Sequence, residues 1–162
     1  MKWLKKIVVK TVLVLLGRAL KKAHRVDKDI AHYYEKLPAN ISFGFKVYPD
    51  GPCLAVFRTH DKITISYYCS DELDILFIFK NLEAAFMVFT AKKSTIRAYA
   101  ENRISVKGDI GDVMYLMRII DRIQVLLFPK FIAKRVVKGY PDIPWGSLFL
   151  ERIKLFVGIL KG

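Results

Sequence analysis

A change of apolar period in mid-chain sets the fold class of this sequence. From Asn40 to Val47 the apolar side chains Ile41, Phe43, Phe45 and Val47 fall on alternate positions, the period of a strand with one buried face. Tyr48-Pro49-Asp50-Gly51-Pro52 is a turn signal, and positions 53–59 and 63–69 read as a hairpin around His60-Asp61-Lys62. Positions 74–79 contain Ile75-Leu76-Phe77-Ile78-Phe79, apolar on both faces as a central strand is. Beyond Asn81 the period lengthens to that of helices, over 81–91 and 94–101, broken by a short strand at 103–107. Asp109, following Gly108, is placed to cap a long helix with Ile110, Val113, Met114, Met117, Ile120 and Leu127 on its apolar side. Asp112, Tyr115, Arg118 and Arg122 form its polar side. Strands first and helices afterwards predict an α+β domain, and 162 residues leave room for only one.

Charge divides the chain differently. Residues 1–28 carry nine basic side chains against the single acid Asp27, a net +8. Residues 29–128 carry twelve of each sign, and residues 129–162 carry seven basic against two acidic, a net +5. The formal +13 therefore sits at the two ends. A composition that is 53% hydrophobic excludes a disordered basic tail, and an excess at both ends points to an anionic partner, nucleic acid or membrane.

The apolar residues between those charges separate the two. Over positions 2–22, Val8, Val9, Val12, Leu13, Leu15, Leu16, Ala19 and Leu20 share one arc of a helix, while Lys2, Lys6, Lys10, Gly17 and Lys21 share another. Lys5 intrudes on the apolar arc. This is the pattern of a basic interfacial helix; a helix packed on its own domain and an export or anchor signal are the other readings. The longest uncharged run, Thr11 to Gly17, is seven residues against the roughly 20 that span a bilayer. The expected location is cytoplasmic, peripherally attached to membrane.

After Gly139-Tyr140-Pro141-Asp142-Ile143-Pro144 a second apolar helix begins at Trp145 and ends near Lys161; it fits either an interfacial helix or one closing the core. Upstream, Lys130, Lys134 and Lys138 recur at helical spacing behind Pro129. Trp3, Lys5, Lys6, Lys10, Lys21, Lys22, Lys130, Lys134, Lys138, Trp145 and Phe149 are the candidate membrane contacts. Three segments follow: a basic amphipathic helix over 1–28, a central domain over 29–139, and a Pro-containing linker with a helix over 140–162.

Chemistry-bearing constellations do not form. His24 and His32 are eight positions apart, about 12 Å along a helix and too far for one metal. No phosphate loop, nucleophile elbow or paired-cysteine metal motif is present. His60-Asp61 reads as a turn, and Asp71, Glu72 and Asp74 as a solvated cluster opening a strand. No catalytic residue, metal ligand or cofactor is assigned, and no enzyme activity is expected. The Asn40-Ile41-Ser42 sequon carries little weight without an export signal. A hairpin loop of His60-Asp61-Lys62 sets Cys53 opposite Cys69, close enough to bond, but in the cytosol two free thiols are the expectation.

From Ser70-Asp71-Glu72-Leu73-Asp74 through Asn102-Arg103-Ile104-Ser105-Val106-Lys107-Gly108-Asp109-Ile110-Gly111-Asp112-Val113-Met114, the chain resembles the sterol carrier protein 2 domain family. There a strand of this type runs into the last core helix; Ile104, Val106, Gly108 and Asp109 match it, and Met114, Leu116 and Met117 continue it. The resemblance implies a five-stranded, mostly antiparallel sheet covered by helices that enclose an apolar tunnel for a lipid tail. The basic N-terminal helix lies outside the usual domain. Phe77, Phe79, Phe86, Met87, Phe89, Met114 and Met117, with Ile104, Val106 and Ile120, form the candidate lipid-contacting set; the same pattern also describes plain core. The expected function is binding of a sterol-like, isoprenoid or quinone, or acyl lipid and its carriage or presentation at an anionic membrane. An accessory scaffold for enzymes of lipid or quinone biosynthesis and a basic nucleic-acid-binding protein are the alternatives. Nucleic acid is the weaker partner, because Trp3 and Trp145 sit among aliphatic residues and the Phe-rich strands are uncharged.

Overall fold

A computed structural model of the chain describes residues 1–90, 92–127 and 145–160. In chain order the elements are α1 (Lys2–Ala23), α2 (Lys28–Lys36), β1 (Asn40–Val47), β2 (Cys53–Thr59), β3 (Lys62–Ser66), β4 (Ile75–Phe79), α3 (Leu82–Phe89), α4 (Thr95–Ala100), β5 (Ile104–Lys107), α5 (Ile110–Leu127) and α6 (Trp145–Leu160). The strands form one five-stranded sheet in the order β3-β2-β1-β4-β5. β1 pairs antiparallel with β2 and parallel with β4; β2–β3 and β4–β5 are antiparallel. The α+β, mostly antiparallel architecture is the one expected.

Alternation in the strands sends Ile41, Phe43, Phe45, Leu54, Val56, Ile75, Phe77, Phe79 and Ile104 into one core with the helices. Phe45 stacks on Phe77 (centroids 5.2 Å apart) and Phe79 meets Phe89 (5.0 Å). The opposite sheet face is covered too, because Ala55 and Leu76 pack with Cys69 and Leu73 from the segment following β3. That explains why β4 is apolar on both faces. Gly44 permits this covering: a Cβ there would lie 2.7 Å from Leu73 Cδ1 and 2.9 Å from the Leu54 carbonyl oxygen.

α1 is a core element. Val9, Leu13, Leu16, Ala19, Leu20 and Ala23 form its buried stripe, a face repeating at three and four residues. It packs on β2, β3, α3, α5 and α6. At Gly17, a Cβ would come within 2.8 Å of Leu54 Cδ1, so the missing side chain lets helix and sheet approach. Of the three readings of this segment, the packed helix describes residues 9–23. Lys5 intrudes on the apolar arc because it reaches α3, pairing with Glu83 and lying over the Phe86 ring.

Three local expectations are corrected. The β2–β3 turn holds His60 and Asp61 alone, with Thr59 opposite Lys62 and His60 in the left-handed region (φ 53°). The register therefore shifts by one from the expected three-residue loop. Cys53 and Cys69 are nonetheless bonded, with Cα atoms 6.2 Å apart, and among the described residues no cysteine is free. Cys69 reaches its partner from the covering segment beyond β3, so the expectation of two free thiols is overturned by that segment and not by the ladder. In α5 the buried face runs through Val113, Leu116, Ile119, Ile120, Ile123 and Leu126. Ile110 (80% exposed) and Met114 (50%) turn outward, rotating the expected stripe.

Candidate functional site

The candidate lipid-contacting residues come together, but as packed core. Phe77, Phe79, Phe89, Ile104 and Ile120 are buried; Phe86, Met87, Val106 and Met117 are half-buried; Met114 lies half outside. None of them lines the cavities of about 570, 400 and 120 Å³ on the described surface. The space over the sheet is occupied in part by the buried stripe of α1.

The membrane-contact candidates divide. Trp3 (73% exposed), Lys6, Lys10 and Lys21 face solvent, and Leu4 and Ile7 join them on the first turns of α1. Lys5 is committed to Glu83, and the stem of Lys22 lies against α6 at Gly158. Lys130, Lys134 and Lys138 lie outside the described residues, as does the side chain of Trp145. Phe149 is exposed, and it begins an extended apolar surface among the described residues. Phe149, Leu150, Ile153, Phe156, Val157 and Leu160 occupy the outer face of α6 at helical spacing, all exposed. The inner face is fixed by buried Leu155 and Ile159. Arg18 donates to the Ile159 carbonyl (3.4 Å), and Arg152 to that of Val125 (3.0 Å).

The 570 Å³ cavity is a groove between the first half of α1 and the turn joining β1 to β2. Lys6, Lys10 and Leu13 line it from α1, and Lys46 and Val47 from β1. Pro49, Asp50 and Pro52 line it from the turn, and Tyr67, Tyr68 and the bonded Cys53 and Cys69 complete the lining. Lys46 donates to Asp71 (2.7 Å) and lies 5.2 Å from the Tyr48 ring centroid. That hydrogen bond raises the Lys46 pKa and lowers that of Asp71. Lys6 and Lys10 have no such partner: among the described residues neither makes an ion pair or side-chain hydrogen bond.

The acidic strand-opening cluster is structural. Asp74 Oδ2 accepts from the backbone N–H and the hydroxyl of Ser42 (2.8 and 2.7 Å), which lowers its pKa and ties the start of β4 to β1. Among the described residues no group of acids, histidines or cysteines is arranged to hold a metal. No helix of the described residues is long and apolar enough to cross a membrane.

Sequence reasoning passes over Asp27, which is 1% exposed. Its Oδ1 accepts from the N–H groups of Asp29 (2.9 Å) and Ile30 (3.1 Å), capping α2, while Arg122 Nε of α5 donates to Oδ2 (2.7 Å). A signal is present in the sequence: Asp27 is the single acid among nine basic residues of the first 28. Arg58 of β2 acts likewise at the other end of α2, donating to the carbonyls of Tyr34, Leu37 and Pro38. The Tyr67-Tyr68 pair escapes notice as well, since it sits inside an expected strand.

No family model and no curated protein matches the chain. Among solved structures, the UbiJ-SCP2 ubiquinone synthesis protein is similar over 74% of this chain and 98% of its own, with 13% identity and a TM-score of 0.49. The sterol carrier protein domain 2 of Helicoverpa armigera is similar over 67% and 84%, with 20% identity and a TM-score of 0.47. The sec-alkyl sulfatase PisA1 gives a TM-score of 0.42 at 8% identity, over 54% of this chain and only 14% of that one. All three TM-scores lie below 0.5, and nothing about ligand or activity is carried over from these proteins. With three antiparallel pairings, one parallel pairing and helices over the sheet, the chain is a five-stranded α+β fold.

Proposed function

We propose that this is a non-catalytic lipid-binding protein. It takes the apolar part of a sterol-like, isoprenoid or acyl lipid and carries or presents it at the anionic, cytoplasmic face of a membrane. It sits there peripherally, through the outer face of α6 and the first turns of α1. The observation that carries the reading is the α6 stripe: six large apolar side chains at helical spacing on the solvent side of a helix whose inner face is already docked. Stripes of this extent on soluble domains mark a partner surface. Here Lys154 on the same helix and Lys21 on α1 are exposed and suit anionic lipid. In this role the partners are the lipid, the bilayer and the enzymes that act on the presented lipid.

The test is native mass spectrometry and solvent extraction of gently purified full-length protein, followed by add-back of lipids to the stripped protein. Co-purifying or re-bound lipid is expected; no lipid in either experiment would end the lipid-binding half. Co-sedimentation with phosphatidylcholine vesicles, with and without phosphatidylglycerol, addresses the seat. Binding that ignores the anionic lipid, or no binding, would end that half.

A further inference from the structure

We infer that the groove between α1 and the β1–β2 turn binds the phosphate or diphosphate end of an amphiphile. This names a ligand for the lipid-binding reading above and rests on that reading for the apolar chain, though not for the phosphate. Lys6 and Lys10 line the groove from successive turns of one helix, and both are without a partner among the described residues. Their neighbours are not: Lys5 is paired with Glu83 and Lys46 with Asp71. Like charges one turn apart repel, and the repulsion is less screened in a groove than in open water. Against the three ammonium groups the groove lining holds a single carboxylate, that of Asp50.

Phosphate chemistry fits this set better than a lone carboxylate. Each ammonium is a compact donor on a flexible stem, and a phosphate offers several charged oxygens to donors arriving from two sides. The surroundings supply the apolar half. Leu13, Val47, Pro49 and Pro52 form apolar wall, and exposed Tyr67 and Tyr68 stand at the rim. Trp3 and Ile7, three residues before Lys6 and Lys10 respectively, continue the same helix face and are exposed. Trp and Tyr favour the headgroup layer of a bilayer, so the lysines lie at the depth of lipid phosphates when this rim meets a membrane.

The test uses full-length protein and isothermal titration with three soluble probes: dihexanoyl phosphatidic acid below its micelle concentration, dihexanoyl phosphatidylcholine, and inorganic diphosphate. The Lys6→Gln/Lys10→Gln variant removes the two free charges at exposed positions, so the fold is retained, and thermal melting verifies this. Lys36→Gln/Lys62→Gln removes equal charge at exposed positions outside the groove. The expected result is preference for the phosphatidic acid, about tenfold weaker binding in the first variant, and no change in the second. Unchanged affinity in the first, or an equal loss in the second, would overturn the site. Inorganic diphosphate binding as tightly as the phosphatidic acid would overturn the amphiphile and leave a free-phosphate site. Because the probes are soluble, this titration does not depend on vesicle binding, and the two proposals fall separately.

Discussion

Replacing Phe149 and Leu160 with serine should detach the protein from vesicles without unfolding it. The two are 64% and 81% exposed, so their apolar surface contributes little to the core. Fully burying a side chain of this size is worth about 1.5–3 kcal/mol. With about two thirds of that surface still open, each contributes roughly 1.5 kcal/mol on entering the interface, or roughly 3 kcal/mol for the pair. That corresponds to a loss of about 100-fold in partitioning. The assay is co-sedimentation over a range of lipid concentrations, with the urea midpoint measured in parallel. The unfolding free energy should change by less than about 0.5 kcal/mol, as for surface changes away from packing or capping. A partition coefficient falling by less than about threefold would refute the argument. So would a stability loss large enough to account for the effect. Added salt should weaken wild type and variant by the same factor, because the lysines are unchanged.

Three further outcomes are expected. Asp27→Ala removes the α2 cap and leaves Arg122 with Asp29 alone (3.1 Å), costing about 3 kcal/mol and about 6–12 °C in melting temperature. Asp27→Asn keeps the capping oxygen and should cost about half as much; equal losses from the two variants would show that the cap contributes nothing. Burial raises the Asp121 pKa to about 6 from 3.8. The folded state therefore holds this proton longer than the unfolded one, and stability falls as pH rises from about 4 to about 6. Asp121→Asn should stabilise by about 2 kcal/mol at pH 7 and by nothing at pH 4; an equal effect at both would refute the titration. Denatured, unreduced protein should show no thiol by reagent titration, and Cys53→Ser/Cys69→Ser should cost about 3 kcal/mol for a bridge spanning 16 positions. Two reactive thiols would refute the pairing.

Most strands are legible in the sequence because their apolar period is strict. Positions 40–47 and 53–59 fall where alternation places them, since each side chain has one face to choose. The hairpin register is not legible: two- and three-residue loops differ by one position, and His60 in the left-handed region gives no strong signal where glycine or asparagine would. The α5 face is rotated because Ile110 and Met114 are apolar yet lie where the helix meets solvent, and composition alone weighs them like Leu116 and Ile119. The groove is illegible for another reason. Its α1 lysines, Lys6 and Lys10, are 57 to 62 positions from Tyr67 and Tyr68 of the covering segment and are brought near them by α1 packing on the sheet.

That placement of α1 decides how its basic end can be studied. Read as a detachable arm, residues 1–26 invite deletion, with membrane binding compared before and after. Yet Val9, Leu13, Leu16 and Leu20 are each at most 4% exposed. At about 1.5–3 kcal/mol per side chain, their removal approaches the whole stability of an ordinary domain. A truncated chain that fails to bind vesicles has therefore lost its core, and its silence says nothing of recognition. The two roles of the helix separate only at single positions. Trp3→Ala and Ile7→Ala remove exposed apolar surface next to Lys6 and Lys10 and leave the buried stripe whole. If those changes weaken vesicle binding at unaltered stability, one helix both fills the core and meets the membrane. If they do not, the seat belongs to α6 alone.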